Sequence, residues 1–528
     1  MLAKYRVKNS SNETVGFMVD GGFYNIATIK QNIDYIDNLS VLRNGVVRAK
    51  KAIKDIQYRD IVTRRRYAEL KKEKPFDRDI ANELKRWRNS NTTGSILQIR
   101  GTRQIGKTSE ILKFAYSNYD SVIYVDLSKD RTNFESCMQT NKIKLELYKY
   151  CINFNLPKFD DSRNTVIVID EIQESVKVFN SLRALRSELK CDIIITGSYL
   201  GTLTSNFTNK SQEKAFVPMG TIKPITMFSM SFREFCRAFG AEKILMNLDV
   251  HGGSEDSYYS KLESLYNIYR HIGGYPAVVS RYKETGNITD CYEVIEDLMS
   301  TFKSESSKYF TEPKQLVVFD TVFEFVITEM IREKRGNGKH IIAEMAKFIK
   351  ESSETLISKD EAAKAASWLL SCNMLGTCAM LNGNNFADKQ NGRRLYFLDC
   401  GIASYIMRKM DIAESAKRGL LTETFAFCEL NRLYNENIHN RKVKESLCFS
   451  ISQQYELDFI LKGSGNDIDN TTFGIEVKTS RGKPESLIFY VTKKLVDKGI
   501  LAKMDHGRHG NNIETIPIYA IGARFPYI

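Results

Sequence analysis

The sequence predicts an α/β fold built on a parallel sheet, and two observations support this prediction. Apolar runs of strand length recur along the first half of the 528-residue chain, and helical periodicity separates them. Strands that alternate with helices form parallel sheets, because each connection must cross a face of the sheet. A glycine-bracketed loop follows the first run, which predicts a ligand at the carboxyl ends of the strands. The four runs are Ile96–Ile99, Val122–Val125, Val166–Ile169 and Ile193–Ile195.

The loop after the first run fits the pattern GxxxxGK[ST]. Gly101 and Gly106 bracket it, and Lys107 and Thr108 follow. In this pattern loop amides and a helix N-terminus cradle phosphates, the lysine reaches the β- and γ-phosphates, and the threonine holds Mg²⁺. The sequence therefore predicts ATP and Mg²⁺ as cofactors. The expected binding residues are Gly101, Thr102, Arg103, Gln104, Ile105, Gly106, Lys107, Thr108 and Ser109.

The third and fourth runs each end in polar residues. The third runs into Asp170 and Glu171, which is the Walker B pattern: Asp170 joins the Mg²⁺ shell and Glu171 activates the attacking water. A base at Glu171 distinguishes a hydrolysing ATPase from a protein that only holds nucleotide. The fourth ends near Thr196 and Ser198. One of these two is expected to sense the γ-phosphate, as in ATPases that carry an extra strand between the two Walker strands.

The composition predicts a cytoplasmic protein with an anionic partner. No apolar run approaches the ~18 residues of a membrane span, and the first residues lack the apolar core of a signal peptide. Ten cysteines without a CxxC pair indicate reduced structural thiols. The net charge is +13, and the segment from Arg43 to Arg88 holds 16 lysines and arginines against 7 acidic residues. Its interleaved Tyr58, Tyr67 and Trp87 suit a nucleic-acid contact, but a solvated helical face explains the same charges.

Five motifs follow one another along the chain. They are Gly-Thr-Arg-Gln-Ile-Gly-Lys-Thr (101–108), Ile-Asp-Glu-Ile-Gln (169–173), Ile-Thr-Gly-Ser (195–198), Met-Ser-Phe-Arg-Glu-Phe (230–235) and Gly-Gly-Tyr-Pro (273–276). Together they resemble a prokaryotic family, archaeal and bacterial, of AAA-type P-loop ATPases with a C-terminal domain of unknown function. The similarity covers about residues 80 to 490. A further signature, Tyr-Phe-Leu-Asp-Cys-Gly (396–401), departs from the family in having Cys400 where a threonine is more usual.

The end of the chain carries a second chemical constellation. Asp458 lies on an alternating strand, while Glu476 and Lys478 share one face of another. With Glu423 on a preceding helix, this is the arrangement of PD-(D/E)xK nucleases, in which carboxylates hold Mg²⁺ against the scissile phosphate and the lysine orients or activates the water. An exposed, salt-bridged strand pair explains the same residues. The resemblance favours the nuclease-type fold, because the family's C-terminal domain looks nuclease-like in the same way.

These observations predict six regions. In a helical lid predicted at residues 236–315, Arg270 would either place a cation on the nucleotide or lie at the surface. A winged-helix-like domain predicted at residues 316–410 would either bind DNA or act only as a spacer between domains, and the sequence favours neither role. The regions are a small β-module (1–40), a basic helical segment (41–92), a P-loop ATPase core (93–235), a helical lid (236–315), a winged-helix-like domain (316–410) and a PD-(D/E)xK nuclease-like domain (411–528).

The predicted function is that of an ATP-binding and ATP-hydrolysing AAA-type ATPase that acts on nucleic acid. DNA is favoured over RNA as the partner, no membrane partner is expected, and a homo-oligomer is left open. The alternative is a nucleotide-controlled switch whose C-terminal domain binds a protein or DNA partner without cleaving it. A small-molecule kinase would need an acceptor-binding motif, and none is visible in the sequence.

Overall fold

The computed structural model describes most of the chain from residue 76 to residue 524, together with three strands before it. These strands, β1 Tyr5–Lys8, β2 Thr14–Val19 and β3 Gly22–Asn25, form an antiparallel meander in the order β1-β2-β3. The other described residues are 76–91, 94–138, 142–154, 156, 159–197, 220–306, 313–332, 341–352, 359–382, 385–436, 447–462, 471–479 and 483–524.

A five-stranded sheet with every strand parallel confirms the predicted α/β core. The strand order is β5-β6-β7-β4-β8, so β7 lies between the two strands that carry the Walker motifs. The strands are β4 Ile96–Arg100, β5 Ser121–Asp126, β6 Thr165–Asp170, β7 Asp192–Thr196 and β8 Ile222–Thr226. The helices that precede and connect them are α1 Ile80–Ser90, α2 Lys107–Asn118, α3 Leu127–Cys137, α4 Ile143–Asn153, α5 Val176–Asn180 and α6 Leu182–Glu188.

The parallel sheet is buried on both faces, because alternate residues of each strand enter different cores. In β6, Val166 and Val168 pack with α1, α2 and the second half of the chain, whereas Ile167 and Ile169 pack with α3 to α6. This two-residue alternation is the period of a strand, and it explains why the strands consist of continuous apolar runs.

Helix α1 forms the last part of the predicted basic segment and packs against the core of the protein. Trp87, which was expected to suit a nucleic-acid contact, is 1% exposed and packs in the core beside Leu84. The interpretation of Trp87 as a nucleic-acid contact is therefore wrong, because its ring occupies the apolar face of an amphipathic helix. Tyr58 and Tyr67 lie outside the described residues.

In the described part of the chain, eight helices follow the parallel sheet, and aromatic side chains connect two of them to the C-terminal half. Phe425 lies edge-on to Phe232 and Tyr266, with ring centroids 5.7 and 4.9 Å apart. The parallel sheet, the helices predicted as a lid and the C-terminal half thus share one apolar core. The eight helices are α7 Phe232–Ala238, α8 Glu242–Met246, α9 Asp256–Ile272, α10 Pro276–Thr285, α11 Ile288–Ser306, α12 Pro313–Arg332, α13 Ile341–Ser352 and α14 Lys359–Ser371.

A seven-stranded mixed sheet in the order β10-β9-β11-β12-β13-β14-β15 organises the rest of the described chain. Strands β11 to β13 form an antiparallel meander, and β14 lies parallel to β13. The strands are β9 Leu375–Asn382, β10 Asn385–Phe397, β11 Cys448–Ser452, β12 Tyr455–Lys462, β13 Thr472–Lys478, β14 Lys498–Lys503 and β15 Ile513–Pro517. The helices are α15 Cys400–Lys409, α16 Glu414–Glu436, α17 Glu485–Thr492 and α18 Ile521–Arg524.

The sheet crosses the boundary expected near residue 410. Helices α12 to α14 followed by the hairpin β9–β10 have the element order predicted for a winged helix, but β9 also pairs in parallel with β11 through Cys448↔Ala379. The hairpin predicted as the wing is therefore part of the C-terminal sheet.

All ten cysteines of the chain are buried free thiols. Among the described residues, no helix is both long and apolar enough to span a membrane.

Candidate nucleotide site and carboxylate cluster

The phosphate loop connects β4 to α2 and requires glycine at both ends. Gly101 has a φ of 144°, and a Cβ there would lie 2.2 Å from the carbonyl oxygen of Met227. Gly106 precedes α2 with a φ of 94°, in the left-handed region that favours glycine. Because α2 begins at Lys107, its first amides lack partners within the helix and form a site that attracts phosphate.

The other predicted loop residues differ in their exposure. Thr102 and Ile105 are buried, Arg103 and Ser109 are half-buried, and Gln104 is exposed with a left-handed φ of 60°.

Lys107 is folded back onto its own loop. Its side chain is buried, and Nζ donates to the carbonyl oxygens of Gly101, at 3.1 Å, and of Thr102. Burial lowers the pKa of Lys107 to about 8, while the nearby Glu171 and Asp170 carboxylates act in the opposite direction. Lys107 is thus a buried cation that is bonded to neutral carbonyl oxygens. Phosphate oxygens would take the place of these carbonyls and form charge-assisted hydrogen bonds.

Asp170 and Thr108 form the expected oxygen pair at the tip of β6. Thr108 Oγ1 donates to Asp170 Oδ2 at 2.8 Å, and the Tyr124 hydroxyl donates to the same oxygen at 2.8 Å. The hydroxyl and carboxylate oxygens lie close together and are hard ligands of the type that Mg²⁺ prefers. These two residues therefore fit the cation implied by the fold.

Glu171 lies directly beyond Asp170 in a strained conformation. Its φ of 51° is left-handed, its backbone N–H donates to Asp170 Oδ1 at 2.9 Å, and its carboxylate accepts a hydrogen bond from Gln173. Burial raises the pKa of Glu171, with Asp170 adding to the effect. Strain and a raised carboxyl pKa at one residue are typical of functional sites.

Thr196 lies at the expected strand end, but its hydroxyl is bonded to the neighbouring strand β4. It is fully buried, and its hydroxyl donates to the carbonyl oxygen of Ile99 at 3.2 Å. In this conformation the Thr196 hydroxyl is engaged by β4. Ser198 lies outside the described residues.

Sequence reasoning missed Arg78, which braces the phosphate loop from outside. Arg78 Nη1 donates to the carbonyl oxygen of Ile105 at 2.9 Å and Nη2 to that of Phe228 at 2.7 Å, while Nε pairs with Glu234 at 3.0 Å. The Ser-x-x-Glu spacing of Ser231 and Glu234 was a visible capping-box signal, and the structure contains that box. Nothing in the sequence linked this box to a residue 156 positions earlier.

Arg270 lies in the last turn of α9. Its guanidinium sits 5.9 Å from the Tyr266 ring centroid, and it lines an open surface groove of about 560 Å³ with Glu263 and Asn267. The arginine whose charge acts on Lys107 is Arg103, from the loop itself.

The C-terminal carboxylates lie in one region, each with a different partner. Asp458 Oδ2 accepts from the Val477 N–H at 2.8 Å, and Glu476 Oε2 accepts from the Leu487 N–H at 3.0 Å near the start of α17. Glu476 is 3% exposed and also pairs with Lys478 at 2.8 Å. Burial raises the pKa of Asp458, and the Glu423 carboxylate adds to the effect. The predicted residues therefore share an electrostatic environment.

A buried arginine that the sequence did not single out joins this cluster from β10. Arg394 is 2% exposed, pairs with Glu456 and lies 3.9 Å from Glu423, whose carboxylate also accepts from the Tyr396 hydroxyl at 2.6 Å. Within the described ranges, no group of three or more His, Cys, Asp or Glu residues is arranged to hold a metal ion. The expected set of Glu423, Asp458 and Glu476 is thus near one place without forming a ligand shell.

Comparisons with known families match two segments of the chain. A family described as "AAA domain" matches residues 93–236, which supports an AAA-type core. A "Domain of unknown function (DUF8612)" matches residues 263–412, from within α9 to the end of the expected winged-helix region.

Individual proteins are similar over part of the chain. An uncharacterized protein of Haemophilus influenzae is 27% identical over 195 residues, which span 35% of this chain and 41% of that protein. The Walker-type ATPase PABY2304 of Pyrococcus abyssi has a TM-score of 0.39 and 14% identity over 63% of this chain and 96% of its own. The Aeropyrum pernix ORC1 protein in complex with DNA has a TM-score of 0.27 and 13% identity over 64% of this chain and 93% of its own.

Proposed function

We propose that the chain binds ATP with Mg²⁺ at the phosphate loop, hydrolyses it, and uses the cycle to act on nucleic acid. The observation that carries this proposal is the arrangement at the carboxyl ends of β4 and β6. There the Lys107 ammonium, the hydrogen-bonded Thr108 and Asp170 pair and the half-buried Glu171 occupy one site. The AAA-domain match over the same residues supports it.

Each residue has a distinct role in this proposal. Lys107 exchanges its loop carbonyls for the β- and γ-phosphate oxygens, and Thr108 and Asp170 hold Mg²⁺, which when bound neutralises charge on the phosphates. Glu171 orients the attacking water and accepts its proton, a step that a raised carboxyl pKa favours. Arg78 holds the Ile105 carbonyl in place and so fixes the curvature of the loop.

We further propose that the C-terminal carboxylates act on DNA as a nuclease-like site. The support is topological: Asp458 lies on β12 and Glu476 and Lys478 on the adjacent antiparallel β13, with Glu423 on α16 before the meander. The net charge of +13 favours an anionic partner. In this proposal Asp458 and Glu476 would hold a cation once it displaces their Val477 and Leu487 amide partners, and Lys478 would orient the water.

A second candidate is a nucleotide-controlled switch that binds its partner without cleavage. The observation that favours it is that the carboxylates already have internal partners, namely the Val477 and Leu487 amides, Tyr396 and Lys478. Such satisfied groups stabilise a fold without requiring a cation. A homo-oligomer is compatible with either candidate.

One experiment separates these candidates. The purified chain is incubated with ATP, Mg²⁺ or Mn²⁺, and supercoiled or single-stranded DNA, and both phosphate release and DNA breakage are measured. The nuclease proposal predicts both products, with breakage lost in Lys478→Ala and phosphate release retained. Phosphate release without breakage supports the switch, whereas breakage that survives Lys478→Ala contradicts the proposed site.

A further inference from the structure

Two motifs far apart in sequence meet beside the phosphate loop. The Gly-Gly-Tyr-Pro motif joins α9 to α10, and the Leu-Asp-Cys-Gly segment joins β10 to α15. The Gly274 N–H donates to Asp399 Oδ2 at 2.9 Å across 125 residues. Asp399 Oδ1 accepts from the Gly401 N–H at 2.9 Å and the Ile402 N–H at 3.2 Å, so the same buried carboxylate caps α15.

Glycine is required at this joint because three backbone segments pack without space between them. A Cβ on Gly273 would lie 2.1 Å from Asp399 Oδ1, and a Cβ on Gly274 would lie 2.0 Å from the Met230 carbonyl oxygen. A Cβ on Gly401 would lie 2.2 Å from the Ile272 carbonyl oxygen. A displacement of the first motif therefore cannot be absorbed locally, since close-packed contacts transmit strain.

Tyr275 connects the joint to the phosphate loop. Its hydroxyl lies 2.9 Å from Thr102 Oγ1, and both residues are buried. The Thr102 carbonyl is an acceptor for Lys107 Nζ. The same tyrosine hydroxyl lies 3.7 Å from Met374 Sδ, in the turn between α14 and β9. One side chain thus contacts the loop and the C-terminal half.

We propose that Tyr275 is a positioning residue that couples nucleotide binding at the phosphate loop to α15 and the C-terminal sheet. The proposal rests on the nucleotide binding inferred above. When Lys107 turns to the phosphates it releases the Thr102 carbonyl, and the Thr102 backbone becomes free to reorient. The Thr102 side chain carries that change to Tyr275, and the glycine-lined joint passes it to Asp399 and the N-terminus of α15.

The C-terminal carboxylates lie at the far end of this connection. Helix α15 packs against α9 and α16, and α16 carries Glu423 of the carboxylate cluster. Because coupling is reciprocal, nucleotide must alter the joint as much as the joint alters nucleotide affinity. Within this proposal, the Asp399 cap responds to nucleotide although it does not touch the phosphates.

The test uses the full chain, with ADP and Mg²⁺ as the probe. Backbone hydrogen exchange of residues 398–406 is followed with and without ADP, and the ADP dissociation constant is measured separately. In the wild type, ADP changes exchange at the α15 N-terminus. In Tyr275→Phe this response is lost, and ADP binds about 2- to 10-fold more tightly, because one hydrogen bond no longer holds the loop in its nucleotide-free form.

Two further variants complete the test. Asp399→Asn keeps the size of the cap but has one acceptor oxygen in place of two, so it cannot accept from the Gly274 N–H and from the α15 amides at once. We expect it to retain ADP binding and to lose the response. Tyr266→Phe is the matched control: it removes another buried tyrosine hydroxyl, bonded to Thr422 at 3.2 Å, and keeps the response. ADP binding without a wild-type response, or a normal response in Tyr275→Phe, would overturn the coupling. Absence of ADP binding to the wild type would instead overturn the proposed function, and this inference with it.

Discussion

The phosphate-loop site and the C-terminal carboxylate cluster differ in how their charges are balanced. At the loop, Lys107 rests on neutral carbonyls, and the Thr108 and Asp170 oxygens already lie together. In the cluster, Asp458 and Glu476 accept from backbone amides, and Arg394 and Lys478 supply positive charge.

The two sites therefore require different changes before they can act. The loop needs only its ligand, because phosphate supplies stronger acceptors for a cation that is already in place. The cluster must give up internal hydrogen bonds to bind a metal ion, because Asp458 and Glu476 lose their amide partners when their carboxylates turn toward the ion.

The largest effect is expected at Glu171, the proposed general base. Glu171→Gln keeps the size of the side chain and should keep ATP binding, while ATP turnover falls about 10²- to 10⁴-fold because the general base is lost. Phosphate release at saturating ATP measures it. Glu174→Gln, which neutralises a neighbouring acid, is the control and should leave turnover unchanged. Equal turnover in wild type and Glu171→Gln would remove Glu171 from the mechanism.

Lys107→Ala should weaken ATP binding about 10- to 100-fold, the value of a lost charge-assisted hydrogen bond. Equilibrium titration with a fluorescent ATP analogue measures it. Lys113→Ala is a matched control, since Lys113 lies on the same helix but pairs with Asp77 at 2.7 Å. Unchanged affinity in Lys107→Ala would mean that nucleotide binds elsewhere.

An effect of similar size is expected from metal at the C-terminal cluster. Without nucleotide, Mn²⁺ at a hundredfold excess over its dissociation constant should stabilise the full chain by about 2.7 kcal/mol. Asp458→Ala should remove this gain, as followed by thermal unfolding. The full chain is required because β9 pairs with β11, so a fragment from residue 411 would lack two strands of the sheet. A gain that survives Asp458→Ala would place the metal at another site.

The smallest effect concerns pH. The pKa of Asp458 is raised in the folded chain by burial and by Glu423, so the stability it contributes is greatest below its unfolded value of about 3.9 and is lost as pH rises toward the folded value. Asp458→Asn carries no charge and should raise the free energy of unfolding at pH 8 by about 1 to 2 kcal/mol, and by less at pH 4. Urea unfolding at both pH values measures it. An equal change at the two values would show that burial of the charge is not the cause.

The sequence predicted local features better than long-range ones. The phosphate loop, the Walker B acids and the strand between them were readable because each is a short pattern with its own strand and helix. Arg78 and Tyr275 were not, because their partners Ile105 and Thr102 are brought near only by the folded chain.

The C-terminal half shows the same limit. The order of helices and hairpin was predicted, but the pairing of β9 with β11 was not, since alternation fixes which face a strand residue occupies and not which strand lies beside it. The two interpretations of the basic segment, a nucleic-acid contact and a solvated helical face, both missed the burial of Trp87, because the amphipathic face of α1 places its ring in the core.

Hydrolysis at the phosphate loop is tested by measuring Mg²⁺-dependent phosphate release from ATP by the purified full chain, with Lys107→Ala prepared in parallel. We expect saturable release by the wild type that stops when Mg²⁺ is chelated and that is about 10- to 100-fold lower in Lys107→Ala at ATP concentrations well below the wild-type dissociation constant. Equal release by both proteins, or no release by a wild type that binds ATP, would contradict hydrolysis at this site.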